Sequence, residues 1–133
     1  MRKKDELAID KITECAKKEF AEKGFEGASM RTIAESAGYT TGMLYGRFAD
    51  KGELFREIVG KAADELYTYY VGVQNEFAAY PPDRQYSDMH TYVDRKIDGW
   101  LDIVYAHFEE FQLIVCKSKG TEYERYIEKL IDV

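Results

Sequence analysis

The sequence predicts an all-α fold, and three observations carry that prediction. Apolar residues recur at three- and four-residue steps along most of the 133 residues, with no alternating run that would read as a strand. The two prolines, Pro81 and Pro82, are adjacent, which leaves long stretches free of the residue that breaks helices. Gly24 and Gly38 stand just past the ends of periodic segments, where glycine closes a helix cheaply in the left-handed conformation.

The first helix is predicted over Asp5 to Lys23. Ala8, Ile12, Cys15, Ala16, Glu19 and Phe20 share one stripe, while Lys11, Lys17, Lys18 and Glu22 lie elsewhere on the cylinder. Gly24 stops it, and Phe25 returns to the core. Ser29 is a good N-cap for a short second helix, Met30 to Ala37, with Met30, Ile33, Ala34 and Ala37 inward and Gly38 as its stop. Thr40 or Thr41 caps a third short helix that holds Met43, Leu44 and Tyr45 and ends near Arg47. Asp50-Lys51-Gly52-Glu53 has the form of a capping box and opens a long fourth helix. Its apolar side runs through Leu54, Phe55, Ile58, Val59, Ala62, Leu66, Tyr70, Val73 and Phe77, and Pro81-Pro82 ends it or just follows it.

Asp83 to Ser87 reads as a loop. Met89, Val93, Ile97, Trp100, Leu101, Val104 and Phe108 form the stripe of a fifth helix. Phe111, Leu113, Ile114 and Val115 mark a sixth, closed near Gly120. A seventh, from Thr121 to the end, carries Tyr123, Tyr126, Ile127, Leu130 and Ile131.

Composition narrows the class. Apolar types at 45% and charged types at 33% fit a folded globular chain. The net charge of −6 argues against a uniformly basic nucleic-acid binder, but its distribution is uneven. Residues 1–50 hold nine basic and nine acidic side chains, whereas residues 51–133 hold ten and sixteen. A neutral front and an acidic back suggest two parts with different jobs. Cys15 and Cys116 belong to no paired motif and read as two buried free thiols, with a structural disulfide as the alternative. Met1 is followed by Arg2-Lys3-Lys4 with no apolar stretch, and the longest apolar run is Leu113 to Cys116, so neither a secretory signal nor a membrane span is expected and the protein is placed in the cytoplasm.

The second and third helices, joined by Ala37-Gly38-Tyr39, have helix-turn-helix spacing. From Ser36 to Phe48 the one charged residue is Arg47. A nearly charge-free helix that starts with small hydroxyl residues can approach base edges closely, which makes Thr40, Thr41, Gly42 and Met43 candidates for the major groove. Thr40 has a capping role as its alternative. Tyr45 can present its hydroxyl to a phosphate, with Arg31, Arg47 and Lys51 supplying positive charge around it. Lys51 also stands at a helix start, where backbone amides favour a phosphate. Arg2-Lys3-Lys4 could be a minor-groove arm, with a frayed, solvated terminus the better reading. Met30, Leu44 and Phe48 are expected to be the small core of this unit.

Phe20-Ala-Glu-Lys-Gly-Phe25, Ser29-Met-Arg-Thr-Ile-Ala34, Ala37-Gly38, Met43-Leu-Tyr45, Phe48, Lys51 and Leu54 resemble the N-terminal signature of TetR-family transcriptional regulators, over roughly Ile12 to Phe55. The resemblance implies a homodimeric, all-α regulator: a DNA-binding domain over 1–49 and a helical ligand-binding and dimerisation domain over 50–133. Members usually repress and release operator DNA when a small molecule binds. The resemblance assigns Arg31 to base or phosphate contact and places Thr41, Gly42 and Met43 where bases are read. Tyr45 and Lys51 match the phosphate-contacting tyrosine and lysine, and Arg47 stands where many members have histidine. Thr41 and Gly46 replace larger residues, so the reading surface is small. Members also continue for several helices past this chain's end, which implies a second domain truncated at its C-terminus.

The implied partners are a double-stranded DNA operator with an inverted repeat, an unidentified small-molecule effector and a second copy of the chain. Among the aromatics of the second half, Tyr70, Phe77 and Trp100 are candidates for lining an apolar ligand pocket, the alternative being that they are simply core. His90 and His107 lack partners at metal-ligand spacing, and no phosphate loop, nucleophile elbow or zinc motif occurs, so neither cofactor nor catalysis is expected. The rival reading is a helical interaction or ligand-binding protein that retains the fold without reading DNA.

Overall fold

The computed structural model describes residues 4–132, which fold into eight helices with no strand among them. The candidate arm residues Arg2 and Lys3 lie outside the described residues. In chain order the helices are α1 (Lys4–Gly27), α2 (Met30–Ala37), α3 (Thr41–Arg47), α4 (Lys51–Ala78), α5 (Pro82–Ser87), α6 (Met89–Ala106), α7 (Phe108–Cys116) and α8 (Tyr126–Ile131).

Local signals account for the first four. Gly24 interrupts α1 with φ 73° and ψ 170°, so the regular helix stops where the glycine stands and a single turn over residues 25–27 is appended. Ser29 caps α2 by accepting the Thr32 N–H, and Gly38 closes it in the left-handed region at φ 83°. Thr40, not Thr41, caps α3: its Oγ1 accepts the Met43 N–H at 3.1 Å. Asp50 caps α4 by accepting the Glu53 N–H at 2.8 Å, while the Glu53 carboxylate reaches back to the Ala49 N–H at 3.0 Å. This reciprocal pair satisfies amides that the helix leaves open.

One apolar core joins α1, α2, α3, α4 and α7. Ile12, Phe20, Ile33, Leu44, Leu54, Phe55, Val59 and Ile114 are its most enclosed large side chains. Phe55 meets both Phe20 and Phe25 edge-on, with centroids 5.1 and 5.6 Å apart. Met30, Leu44 and Phe48 are all buried, as expected for the support of the first three helices. Phe111, Leu113 and Ile114 bring α7 against α1 and α4, and Tyr126 and Leu130 seal the end with α8.

Four expectations are corrected. Residues 83–87 are not a loop, because Pro82 opens α5 from a first-turn position where its missing N–H costs nothing. The stripe expected for the fifth helix is mostly exposed: Met89, Val93 and Ile97 keep 45%, 50% and 47% of their surface open. Helix α6 turns a neighbouring edge to α4, through Tyr92, Lys96, Gly99 and Ile103, and Phe108 belongs to the next helix. The last helix is shorter than expected, since residues 121–125 form turns and only Tyr126–Ile131 is helical. Both cysteines are free thiols, but Cys15 is half-buried and Cys116 exposed. No described helix is long and apolar enough to cross a membrane.

Candidate nucleic-acid interface

Helices α2 and α3 meet through the Gly38–Thr40 turn, in which the Tyr39 N–H donates to Ala34 O at 2.9 Å and locks the reversal. Leu44 is the one buried residue of α3 and anchors it to the core. Everything else on that short helix faces outward or sits at the boundary: Thr41 half-buried, and Gly42, Met43, Tyr45, Gly46 and Arg47 exposed. Seven of the eight predicted reading-head residues therefore belong to α2, α3 or the cap between them. The eighth, Lys51, starts α4.

Electrostatics favour an anion on this face. Among the described residues, neither the Tyr45 hydroxyl nor the Arg47 guanidinium has an internal hydrogen-bond or ion-pair partner. Arg31 is 80% exposed at its side chain and pairs with Glu35 one turn along α2 at 3.0 Å, a contact worth only a few tenths of a kcal/mol and easily exchanged, ~0.3–0.5. The acids flanking α3 at Asp50 and Glu53 are turned into backbone caps rather than toward the exposed face. Thr40 spends one lone pair of its hydroxyl oxygen on the cap, which leaves its O–H and a second lone pair to reach outward.

Lys51 differs from the other cations. Its ammonium donates to Glu26 O and Ala28 O, both at 3.1 Å, and lies 4.7 Å from the centre of the Phe25 ring. These partners lie some two dozen residues upstream, and no local spacing announces them. Glu19 is a second residue whose role periodicity hides. Its buried carboxylate accepts the Ser29 N–H at 3.0 Å and the Lys23 ammonium at 3.1 Å. Burial pushes the Glu19 carboxyl up, but those two donors outweigh it and hold it below the ordinary value.

The second-domain candidates separate. Tyr70 and Trp100 line one groove of about 220 Å³ between α4 and α6, together with Tyr69, Val73, Tyr92 and Ile97. Phe77 is not part of it; its ring packs on Tyr80 and Tyr92 at 5.8 and 5.2 Å. Among the described residues, no group of three or more His, Cys, Asp or Glu side chains is placed to hold a metal ion. His107 instead meets Glu65 at 3.0 Å.

A capped pair of short helices joined by a glycine turn, with no acid on the outer helix α3 and its inner face in a shared core, defines a helix-turn-helix protein. Residues 12–58 match the family model for bacterial regulatory proteins of the tetR family. Over those residues the chain is similar to the DNA-binding segment of that family. It is 27% identical over 123 residues to the uncharacterized HTH-type transcriptional regulator YfiR of Bacillus subtilis (strain 168), covering 92% of this chain and 57% of that protein. An HTH-type transcriptional regulator of Staphylococcus aureus (strain USA300) is 32% identical over 77 residues, which cover 58% of this chain and 42% of the relative. A crystal structure described as a TetR-family transcriptional regulator from Mesorhizobium loti MAFF303099 shares the fold, with a TM-score of 0.51 at 20% identity over 98% of this chain and 60% of that one. The chain thus spans about half the length of the two HTH-type relatives.

Proposed function

We propose that this chain is a sequence-specific DNA-binding transcriptional regulator that acts as a homodimer on an inverted repeat. The observation that carries the proposal is the outward face of α3, where Tyr45 and Arg47 stand without internal partners and no acid occurs from Ser36 to Ala49. In this reading Thr41, Gly42 and Met43 meet base edges, Tyr45, Arg47 and Arg31 meet phosphates, and Thr40 contributes through its cap. Residues 1–49 form the DNA-binding domain and 50–133 the regulatory one. Two reading heads would engage half-sites about one helical turn apart, roughly 34–36 Å.

The regulator is read as a cytoplasmic repressor and not as an enzyme, a reading supported by the family. The groove lined by Tyr70 and Trp100 is the candidate effector site, and its apolar lining suits an apolar small molecule. An effector that binds better to the non-reading conformation would tilt α4 and move the two heads apart; one with equal affinity for both states would change nothing.

Selection of bound duplexes from a random DNA pool at two salt concentrations tests the proposal. Enrichment of an inverted repeat supports a dimeric reader, and enrichment of a single half-site supports intact reading by a monomer. A folded dimer that enriches nothing even at low salt overturns DNA reading in favour of an interaction protein with the same fold.

A further inference from the structure

The turn over residues 24–29 decides how the reading helices leave α1, and charged side chains from two other places grip it. Helix α1 supplies Glu19, whose carboxylate takes the Ser29 N–H. Helix α4 supplies Lys51, whose ammonium takes Glu26 O and Ala28 O and rests on the Phe25 ring. An anion thus holds the donor side of the turn while a cation holds its acceptor side. Ser29 is in turn the cap of α2, and α2 carries α3 through the locked Gly38–Thr40 turn and the shared core around Ile33 and Leu44. A change of angle at residues 26–29 therefore reaches Thr41–Arg47 as a rigid displacement.

We propose that Lys51 is a positioning residue, which sets the pose of α2 and α3 by holding the Glu26 and Ala28 carbonyls, and is not itself a phosphate ligand. The inference rests on the reading of α3 as the DNA-contacting helix and reassigns one residue within it. Two of the three N–H donors of the ammonium are engaged, and its remaining face lies over an aromatic ring that is itself packed on Phe20 and Phe55. Two charge-assisted bonds, each about twice as strong as a neutral one, tether the ammonium to the turn. Arg47 has no such commitments, which makes it the cation free to neutralise DNA.

The test compares Lys51→Met with Arg47→Met in the whole chain, using an enriched duplex from the selection and an unrelated duplex of equal length. Arg47→Met is expected to weaken both duplexes alike and to make the salt slope shallower by about 0.9. Lys51→Met is expected to leave the slope unchanged while losing about tenfold or more of the preference for the enriched duplex. Amide hydrogen exchange at Ala28 and Ser29 should quicken in Lys51→Met and not in Arg47→Met, and Lys51→Arg, which keeps cationic donors, should restore both readouts. A Lys51→Met protein with a slope shallower by about 0.9 and unaltered exchange at Ala28 and Ser29 overturns the assignment. If Lys51→Met fails to fold, Lys51→Gln, which keeps a neutral donor, is read in the same way. If the unmodified chain enriches no duplex, DNA reading itself fails; quickened exchange then still supports the hold on the turn, and unaltered exchange removes it.

Discussion

Tyr69 and Tyr92 hold α4 and α6 together by reciprocal donation. The Tyr69 hydroxyl donates to Lys96 O on α6, the Tyr92 hydroxyl donates to Val73 O on α4, and both bonds are 2.7 Å long. Lys96 adds a contact to Glu76 at 3.2 Å beside them. The helices come this close because Gly99 has no side chain: a Cβ there would stand 2.5 Å from the Tyr69 oxygen.

Gly99→Ala should therefore destabilise the fold by about 1–3 kcal/mol, even though alanine is the better helix former by about 1 kcal/mol. Tyr69→Phe removes the oxygen that alanine meets, so the double variant should lose less than the sum of the two singles. Urea unfolding of the four proteins measures the coupling, and strict additivity would refute the close approach.

Thr40→Ala should cost about 1 kcal/mol through loss of the α3 cap, and Thr40→Ser should recover most of it. Thermal unfolding of the pair checks this. Equal loss in both would assign the stability to the threonine methyl instead of to the Oγ1 bond with the Met43 amide.

The acid limb of the stability curve should depend on Glu19. Its carboxyl is held below the ordinary 4.5 in the folded chain, so its contribution is complete above that value and disappears as pH falls through the lowered one. Glu19→Gln keeps an oxygen for the Ser29 amide and loses the charge. Urea midpoints from neutral pH down to about pH 3 should fall less steeply in the variant, and parallel curves would show that the charge is not what counts.

At the alkaline end the sign reverses. Burial pushes the Tyr126 hydroxyl from 10.0 up to about 12, and that hydroxyl donates to Ala63 O at 2.6 Å. The folded state thus prefers the protonated phenol, a preference present in full below about pH 10 and lost as pH rises toward about 12. Tyr126→Phe should cost about 1 kcal/mol near neutral pH and flatten the decline above pH 10, as followed by circular dichroism. A decline as steep as that of the unmodified chain would assign it to Tyr123, which burial also pushes up to about 12.

The first four helices are legible in the sequence because their boundaries are set by short-range chemistry. Ser29, Thr40 and Asp50 each bond an amide three residues ahead, and Gly24 and Gly38 each take the positive φ that ends a helix. The second half is less legible for an equally physical reason. Periodicity states which residues share a side, not whether anything lies against it, and so Met89, Val93 and Ile97 line up correctly yet stand open. Pro82 reads as a breaker although the first turn of α5 accommodates it. In the candidate site, Tyr45 and Arg47 are legible because exposure on a short capped helix follows from its single inward residue, Leu44. The roles of Glu19 and Lys51 are not, because each depends on backbone groups delivered by a turn far from it in the chain.

The Phe25 amide donates to Lys117 O at 3.0 Å, and Lys17 meets Glu110 at 2.6 Å across a separation of 93 residues. These joins have a consequence for the order of assembly. Helices α1 to α3 are stabilised largely by near neighbours, whereas docking α7 onto α1 must first close a long loop and incur its entropy. The joins are therefore expected to form after the rate-limiting step, so that Lys17→Met raises the unfolding rate and leaves the folding rate nearly unchanged. Stopped-flow folding in urea would read this as a shift of one arm of the chevron, and a matching drop in the folding arm would place the docking of α7 inside the nucleus. On this expectation the bonds between α1 and α7 govern how long the assembled N-terminal helices last more than how quickly they form.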